Sequence, residues 1–156
     1  MSNIIIFGAK YLYLAAIIVA VLYFLKQPRE IKKKIIILGL VSLPVIYIVA
    51  KLAGLLHYNS RPFVVGNFTP LIPHADDNGF PSDHTLILAA IASLLYPFNK
   101  KISLLLWFIT LAVGLSRVFA GVHHLVDIFA SIIIAISIAA LTYRLIIIRM
   151  GKKSPQ

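Results

Sequence analysis

The sequence predicts an all-α fold: a polytopic membrane bundle of about five transmembrane helices, forming a single domain over residues 1–156. Two observations carry that expectation. Hydrophobic residues make up 60% of the 156 and charged residues only 13%, and mean hydropathy is +0.95, too apolar for a soluble domain of 17.3 kDa. The apolar residues also fall into five stretches parted by short polar segments, and a bilayer core about 30 Å thick needs about 20 helical residues to cross. Backbone polar groups left unpaired in hydrocarbon are costly, so each stretch is expected to be helical and the set to pack together.

The stretches run over residues 4–25, 35–56, 85–98, 102–119 and 128–148. The first resembles a signal peptide in position, but Lys10 interrupts it and no small-residue cleavage site precedes the basic KQPREIKKK run, so it is expected to be a retained span. Pro44 is expected to kink the second. The third reaches only about 21 Å, so either residues before Thr85 extend it or its outer end lies below the membrane surface. Ala89, Ala90, Ala92 and Ser93 suit close helix approach in that stretch. The terminal GKKSPQ reads as a frayed tail.

The net charge of +10 sits in short runs between apolar stretches, the pattern of topology-setting charge rather than of a nucleic-acid surface. Lys26, Arg29, Lys32, Lys33 and Lys34 lie between the first two spans, Lys100 and Lys101 between the third and fourth, and Arg149, Lys152 and Lys153 after the fifth. An odd number of spans puts these clusters on one side, expected to be cytoplasmic. Residues 57–84 and 116–127 then face outward from a plasma-membrane protein. With no cysteine, thiolate metal sites, disulfides and a cysteine nucleophile are excluded.

The same topology brings unusual polar residues to one end of the bundle: Arg61 after the second span, Ser82, Asp83 and His84 before the third, Ser116 and Arg117 closing the fourth, and His123 and Asp127 opening the fifth. Ionisable groups at such depth mark function, whereas isolated Lys10 and Arg144 are expected to snorkel. If the fifth helix has begun by His123, a spacing of four puts His123 and Asp127 on one face. The carboxylate then accepts the Nδ1 proton and leaves Nε2 free to attack. His124, three residues before Asp127, competes, with a satisfied structural role as its alternative. Arg61 and Arg117 offer two-pronged donors for phosphate oxygens. Ser82 adds a hydroxyl and a helix start. His84 is the candidate general acid.

These residues resemble the type 2 phosphatidic acid phosphatase superfamily, whose signature reads K-x6-R-P, then P-S-G-H, then S-R-x5-H-x3-D. The counterparts are KLAGLLHYNSRP over residues 51–62, PSDH over 81–84 and SRVFAGVHHLVD over 116–127. The resemblance covers about half the chain and selects His123 over His124. It implies that His123 attacks phosphorus, Asp127 orients it, and His84 protonates the leaving oxygen. Arg61, Ser82 and Arg117 hold the phosphoryl group, and neither metal nor other cofactor takes part. The longer RPFVVGNFTPLIPHADDNGFPSDH is similar to bacterial undecaprenyl pyrophosphate phosphatases, which regenerate the wall-synthesis lipid carrier and blunt bacitracin. Phosphatidic acid, phosphatidylglycerol phosphate and other lipid phosphates are the runner-up substrates.

Two positions depart from the signature. Lys51 stands three residues farther from Arg61-Pro62 than the pattern asks, where Gly54 is found, and either reaches the phosphate from one turn away or snorkels. Asp83 replaces glycine and either pairs with a pocket Arg or Lys or keeps His84 protonated. Six spans are common in the superfamily, against five here. Two other readings compete: a metal cluster of His74, Asp76, Asp77 and His84, and a nonenzymatic transporter or binding subunit gripping an anionic lipid with Arg61 and Arg117.

Overall fold

The computed structural model describes residues 2–148, which are mainly helical with no β-strand among them. The basic cluster Arg149, Lys152 and Lys153 and the tail expected to fray lie outside the described residues. The elements are α1 (Ser2–Lys10), α2 (Leu12–Leu25), α3 (Arg29–Leu56), α4 (Pro62–Val65), α5 (Asp83–Leu95), α6 (Lys100–Phe119) and α7 (Leu125–Thr142). A π-helical stretch, Tyr143–Ile148, continues α7.

Among the described residues, three helices are long and apolar enough to cross a membrane: α3, α6, and α7 with the first residues of its continuation. The first expected span is broken. Its halves α1 and α2 meet at Tyr11 with a 43° bend, where Leu14 donates to the Tyr11 carbonyl at 3.0 Å, an i→i+3 turn that tightens the chain and interrupts the α-helical ladder. The second begins six residues earlier than the apolar run, because its basic first turns carry the helix beyond the hydrophobic segment, and it passes through Pro44 without interruption.

The third span corresponds to α5, which starts two residues before Thr85 but ends at Leu95, three residues short of the expected limit. It rises only about 20 Å, less than the bilayer core, so of the two expectations for this segment the structure gives the short helix. α5 is also the axis of the bundle. It packs on both α6 and α7. Ala89, Ala90 and Ala92 are buried, as expected of small residues at close helix contacts, while Ser93 is half-buried and donates to Ala89 O of its own helix at 2.7 Å. α6 opens on Asn99, whose side-chain oxygen accepts from the Ile102 N–H at 3.1 Å. Many large apolar side chains on the outside, such as Leu40 at 72% exposure, form a surface that hydrocarbon rather than water would cover, as in an integral membrane protein.

Candidate active site

The chain direction alternates through α3, α5, α6 and α7, so the C-terminal ends of α3 and α6 and the N-terminal ends of α5 and α7 gather at one end. A cavity of about 520 Å³ lies there, and Lys51, Arg61, His84, Arg117 and His123 line it together with His74, Asp77, Asn78 and Asp83.

Each side chain has a local reason for its place. Pro62 opens α4 and restricts Arg61 to extended backbone (φ −63°, ψ 149°), turning its side chain under the loop that follows α3. Arg61 is only 5% exposed. Its Nη1 donates to Val122 O at 2.8 Å and lies 3.4 Å from His123 Nε2, and its Nε donates to Asp77 Oδ1 at 2.7 Å. Arg117, in the last turn of α6, is 4% exposed and donates to Ala9 O from Nη1 at 3.2 Å and to His74 Nε2 from Nη2 at 3.1 Å. Its buried Nε has no hydrogen-bond partner among the described residues. An unpaired donor on a buried cation is costly, and an anionic oxygen in the cavity would satisfy it.

After α6 the chain turns back at Gly121, whose φ of +81° favours glycine and where a Cβ would press on the Phe68 ring at 2.6 Å. This turn delivers His123 to the cavity. The condition that the fifth helix has begun by His123 is not met. α7 begins at Leu125 with His124 as its N-cap, and His123 stands in the turn before it. The His123–Asp127 contact forms nonetheless, Nδ1 to Oδ2 at 3.2 Å, because Asp127 in the first turn points back toward the helix start and also accepts the His124 N–H at 2.8 Å. A carboxylate only accepts, so Nδ1 carries the proton and Nε2 presents its lone pair to the cavity. Burial, opposed by the Asp127 hydrogen bond and reinforced by Arg117 and Arg61, holds the His123 pKa below the ordinary imidazole value. Burial and the same two arginines lower that of His74. His124 Nε2 is 3.1 Å from Ser60 O, the satisfied structural histidine of the alternative reading.

His84 lies in the first turn of α5, its ring edge-on to Tyr13 with centroids 5.4 Å apart. Ser82 is the N-cap, which bears out the helix start. Its hydroxyl, however, is fully buried, 3.2 Å from Thr85 Oγ1, and does not line the cavity. Lys51 does line it and lies 3.6 Å from Asp83, both side chains largely exposed. Of the two roles expected for Asp83, the structure shows the pairing with a pocket lysine. The missing lysine at position 54 has a steric cause: a Cβ there would meet Phe80 O at 2.9 Å, so the cation is carried one turn earlier. An exposed pair of this kind contributes about 0–1 kcal/mol, so Asp83→Gly is expected to leave thermal unfolding in detergent within that margin.

Sequence reasoning missed Asn59. Its Nδ2 donates to Asp127 Oδ1 at 2.7 Å, so the fully buried carboxylate has partners on both oxygens. Asn78 Oδ1 in turn accepts from Asn59 N at 3.0 Å, and Gly79 N donates to Asn59 O at 2.9 Å. The only signal was a polar residue two positions before Arg61, which no spacing argument singles out. Among the described residues, no three His, Asp or Glu side chains are grouped as metal ligands, so His74, Asp76, Asp77 and His84 do not assemble into the competing metal cluster.

A model of the PAP2 superfamily matches residues 59–150. The chain is 32% identical over 137 residues to the bacitracin transport permease protein BcrC of Bacillus licheniformis, covering 87% of this chain and 67% of that one. It is 31% identical over 144 residues to the undecaprenyl-diphosphatase BcrC of Bacillus subtilis, covering 92% and 74%. Its fold is similar to the crystal structure of Aquifex aeolicus LpxE, with TM-score 0.67 at 22% identity over 91% of this chain and 82% of that one. With more than half its length matched, and with Arg61, His84, Arg117 and His123 of the signature lining one cavity, the chain belongs to the PAP2 superfamily of lipid phosphatases.

Proposed function

We propose that this protein removes the terminal phosphate of undecaprenyl diphosphate through a phosphohistidine at His123, regenerating the monophosphate carrier of wall synthesis. The observation that carries the mechanism is the His123 geometry: Nδ1 is committed to buried Asp127, and Nε2 opens onto a cavity lined by Arg61 and Arg117. In the first step Nε2 bonds to the terminal phosphorus while the bond to the bridging oxygen breaks, and His84 gives that oxygen its proton. Arg61, Arg117 and the α5 start behind Ser82 hold the non-bridging oxygens as charge builds on them, with Lys51 at the rim. In the second step water attacks phosphorus, His84 takes the water's proton, and the P–N bond breaks to release phosphate and neutral His123. No metal is required by these steps.

Asp77 accepts from Arg61 Nε, so a phosphate that takes this donor exchanges one anionic partner for another. The choice of a prenyl diphosphate over phosphatidic acid or phosphatidylglycerol phosphate rests on the relative from Bacillus subtilis named for that activity and on the HADDN and FPSDH segments. The outward-facing orientation in the cytoplasmic membrane rests on the positive runs opposite the cavity.

Phosphate release from the purified protein, across prenyl diphosphates and glycerolipid phosphates with chelator present, tests substrate and metal independence together. Activity lost in chelator, or confined to glycerolipids, overturns the corresponding part. The lowered His123 pKa sets a sign for pH dependence. Attack needs the neutral ring, and that form persists to lower pH than for a free imidazole, so the acid limb of phosphoenzyme formation is expected below pH 6.5. Arg117→Gln removes a cation that lowers this pKa and is expected to move the limb upward. Rapid-quench trapping of phosphoenzyme across pH checks both.

A further inference from the structure

An apolar groove leaves the catalytic cavity along α5. Asp83 and His84, which line the cavity, also line a recess of about 200 Å³ with Tyr13, Ile17, Ile87 and Leu88, between α2 and α5. Ile17 in turn belongs to a second recess of about 230 Å³ walled by α2, α3 and α5, where Phe24, Gly39, Leu43, Ile91 and Leu95 are among the lining residues and every lining residue is apolar. The shared residues set the recesses end to end along α5, from His84 to Leu95, about 17 Å along the helix. A larger apolar cavity of about 560 Å³, lined by Tyr96, Trp107 and Tyr143, shares no lining residue with the catalytic cavity and is not reached by this groove.

Gly39 supplies a second observation. Glycine within a helix is unfavourable relative to alanine, and the usual structural reason is close packing. That reason holds at Gly114, where a Cβ would meet Ile128 at 2.9 Å, but not at Gly39, where a Cβ would meet nothing within 4 Å. The glycine deepens the wall of the groove instead.

We propose that the groove seats the proximal part of the substrate's polyprenyl tail, which passes between Tyr13 and Ile17 of α2 and Ile87 of α5 and ends against Gly39 of α3. This rests on the prenyl diphosphate reading and adds where the tail lies. The occupant follows from continuity: a lipid whose phosphate reaches His123 brings its tail past Asp83 and His84 at the mouth of the first recess, and beyond them the lining is apolar except for the Tyr13 hydroxyl. Ile17 and Ile87 are exposed, so the tail slips in sideways from the bilayer. A tail longer than the groove leaves its remainder in lipid. Transfer from bilayer to groove removes no apolar surface from water, so the gain lies in packing contacts that orient the phosphorus, and disturbing them acts on turnover.

The test compares undecaprenyl diphosphate with geranyl diphosphate, whose short tail ends before Gly39, using the purified full chain. Gly39→Leu fills the end of the groove and is expected to lower kcat/KM for the long substrate roughly tenfold by mispositioning it, with the short substrate held near wild type. Leu43→Trp, on the exposed lip of the same wall, is expected to act alike and serves if Gly39→Leu does not accumulate. A long-to-short ratio unchanged in both variants, or an equal fall for both substrates, overturns the groove assignment while leaving the phosphatase reading intact. Wild-type protein that cleaves neither prenyl diphosphate but does cleave phosphatidic acid refutes the prenyl reading and this inference with it.

Discussion

His123→Ala is expected to reduce phosphate release by at least about 10⁴-fold and to eliminate acid-labile, alkali-stable phosphoenzyme, because no other side chain in the cavity has the same disposition. His74 is the nearest competitor, its ring centroid 6.1 Å from that of His123, but no carboxylate accepts from its buried Nδ1, whereas Asp127 accepts from that of His123. His124 is turned away to Ser60 O. The variant should still fold, since the His123 ring adds one hydrogen bond to an Asp127 that keeps those from Asn59 and His124. Retained thermal stability with lost turnover is the expected pair of readings. Lipid translocation that survived in the same variant would favour the transporter alternative, and label found on another side chain would remove His123 from the mechanism.

Asp127→Asn is expected to cost roughly 10³-fold or more in kcat through the tautomer of His123, as removal of the orienting carboxylate does in catalytic triads. Oδ1 accepts from Asn59, and Oδ2 accepts from His124 N–H and His123 Nδ1–H. An amide meets that set in two ways. With its NH₂ toward Asn59, which must turn its own Oδ1 inward to accept, the amide oxygen keeps both histidine contacts but brings no charge to balance the ring as phosphorus bonds to Nε2. With its NH₂ toward His123, the ring must accept at Nδ1, so the proton moves to Nε2 and the nucleophilic lone pair is lost. The second arrangement also leaves the part-buried His124 N–H without an acceptor, at about 1–3 kcal/mol. Lower kcat with an accompanying loss of thermal stability is therefore expected, and a variant with wild-type kcat would show that the carboxylate does not control the ring. Asn59→Ala should show a smaller loss of kcat with KM little changed and a displaced pH profile, the pattern of a positioning residue.

Much of this protein was legible from its sequence because hydrocarbon imposes a simple rule: the apolar runs had to be helices, and alternating direction had to bring Arg61, His84, Arg117, His123 and Asp127 to one end. Helix limits were less legible, since helicity does not stop where hydrophobicity does. α3 begins on charged residues at Arg29, and the first span breaks at Tyr11, which carries no proline or glycine to announce it. Spacing also misled at His123: the four-residue interval reads as one helical face, yet the contact is made by a turn before the helix together with the first turn of α7.

What the amino-acid order determined alone is the membrane bundle, the end at which its chemistry collects and the family to which it belongs, because these follow from hydrophobic periodicity and from short motifs whose residue types are themselves the chemistry. Tertiary structure decided the rest. It set Asn59 behind Asp127, Asp77 on Arg61, Lys51 at the rim in place of a blocked position 54, and Ser82 out of the cavity. Each depends on where a loop between helices comes to lie, and that is fixed by packing and hydrogen bonds between residues far apart in the chain.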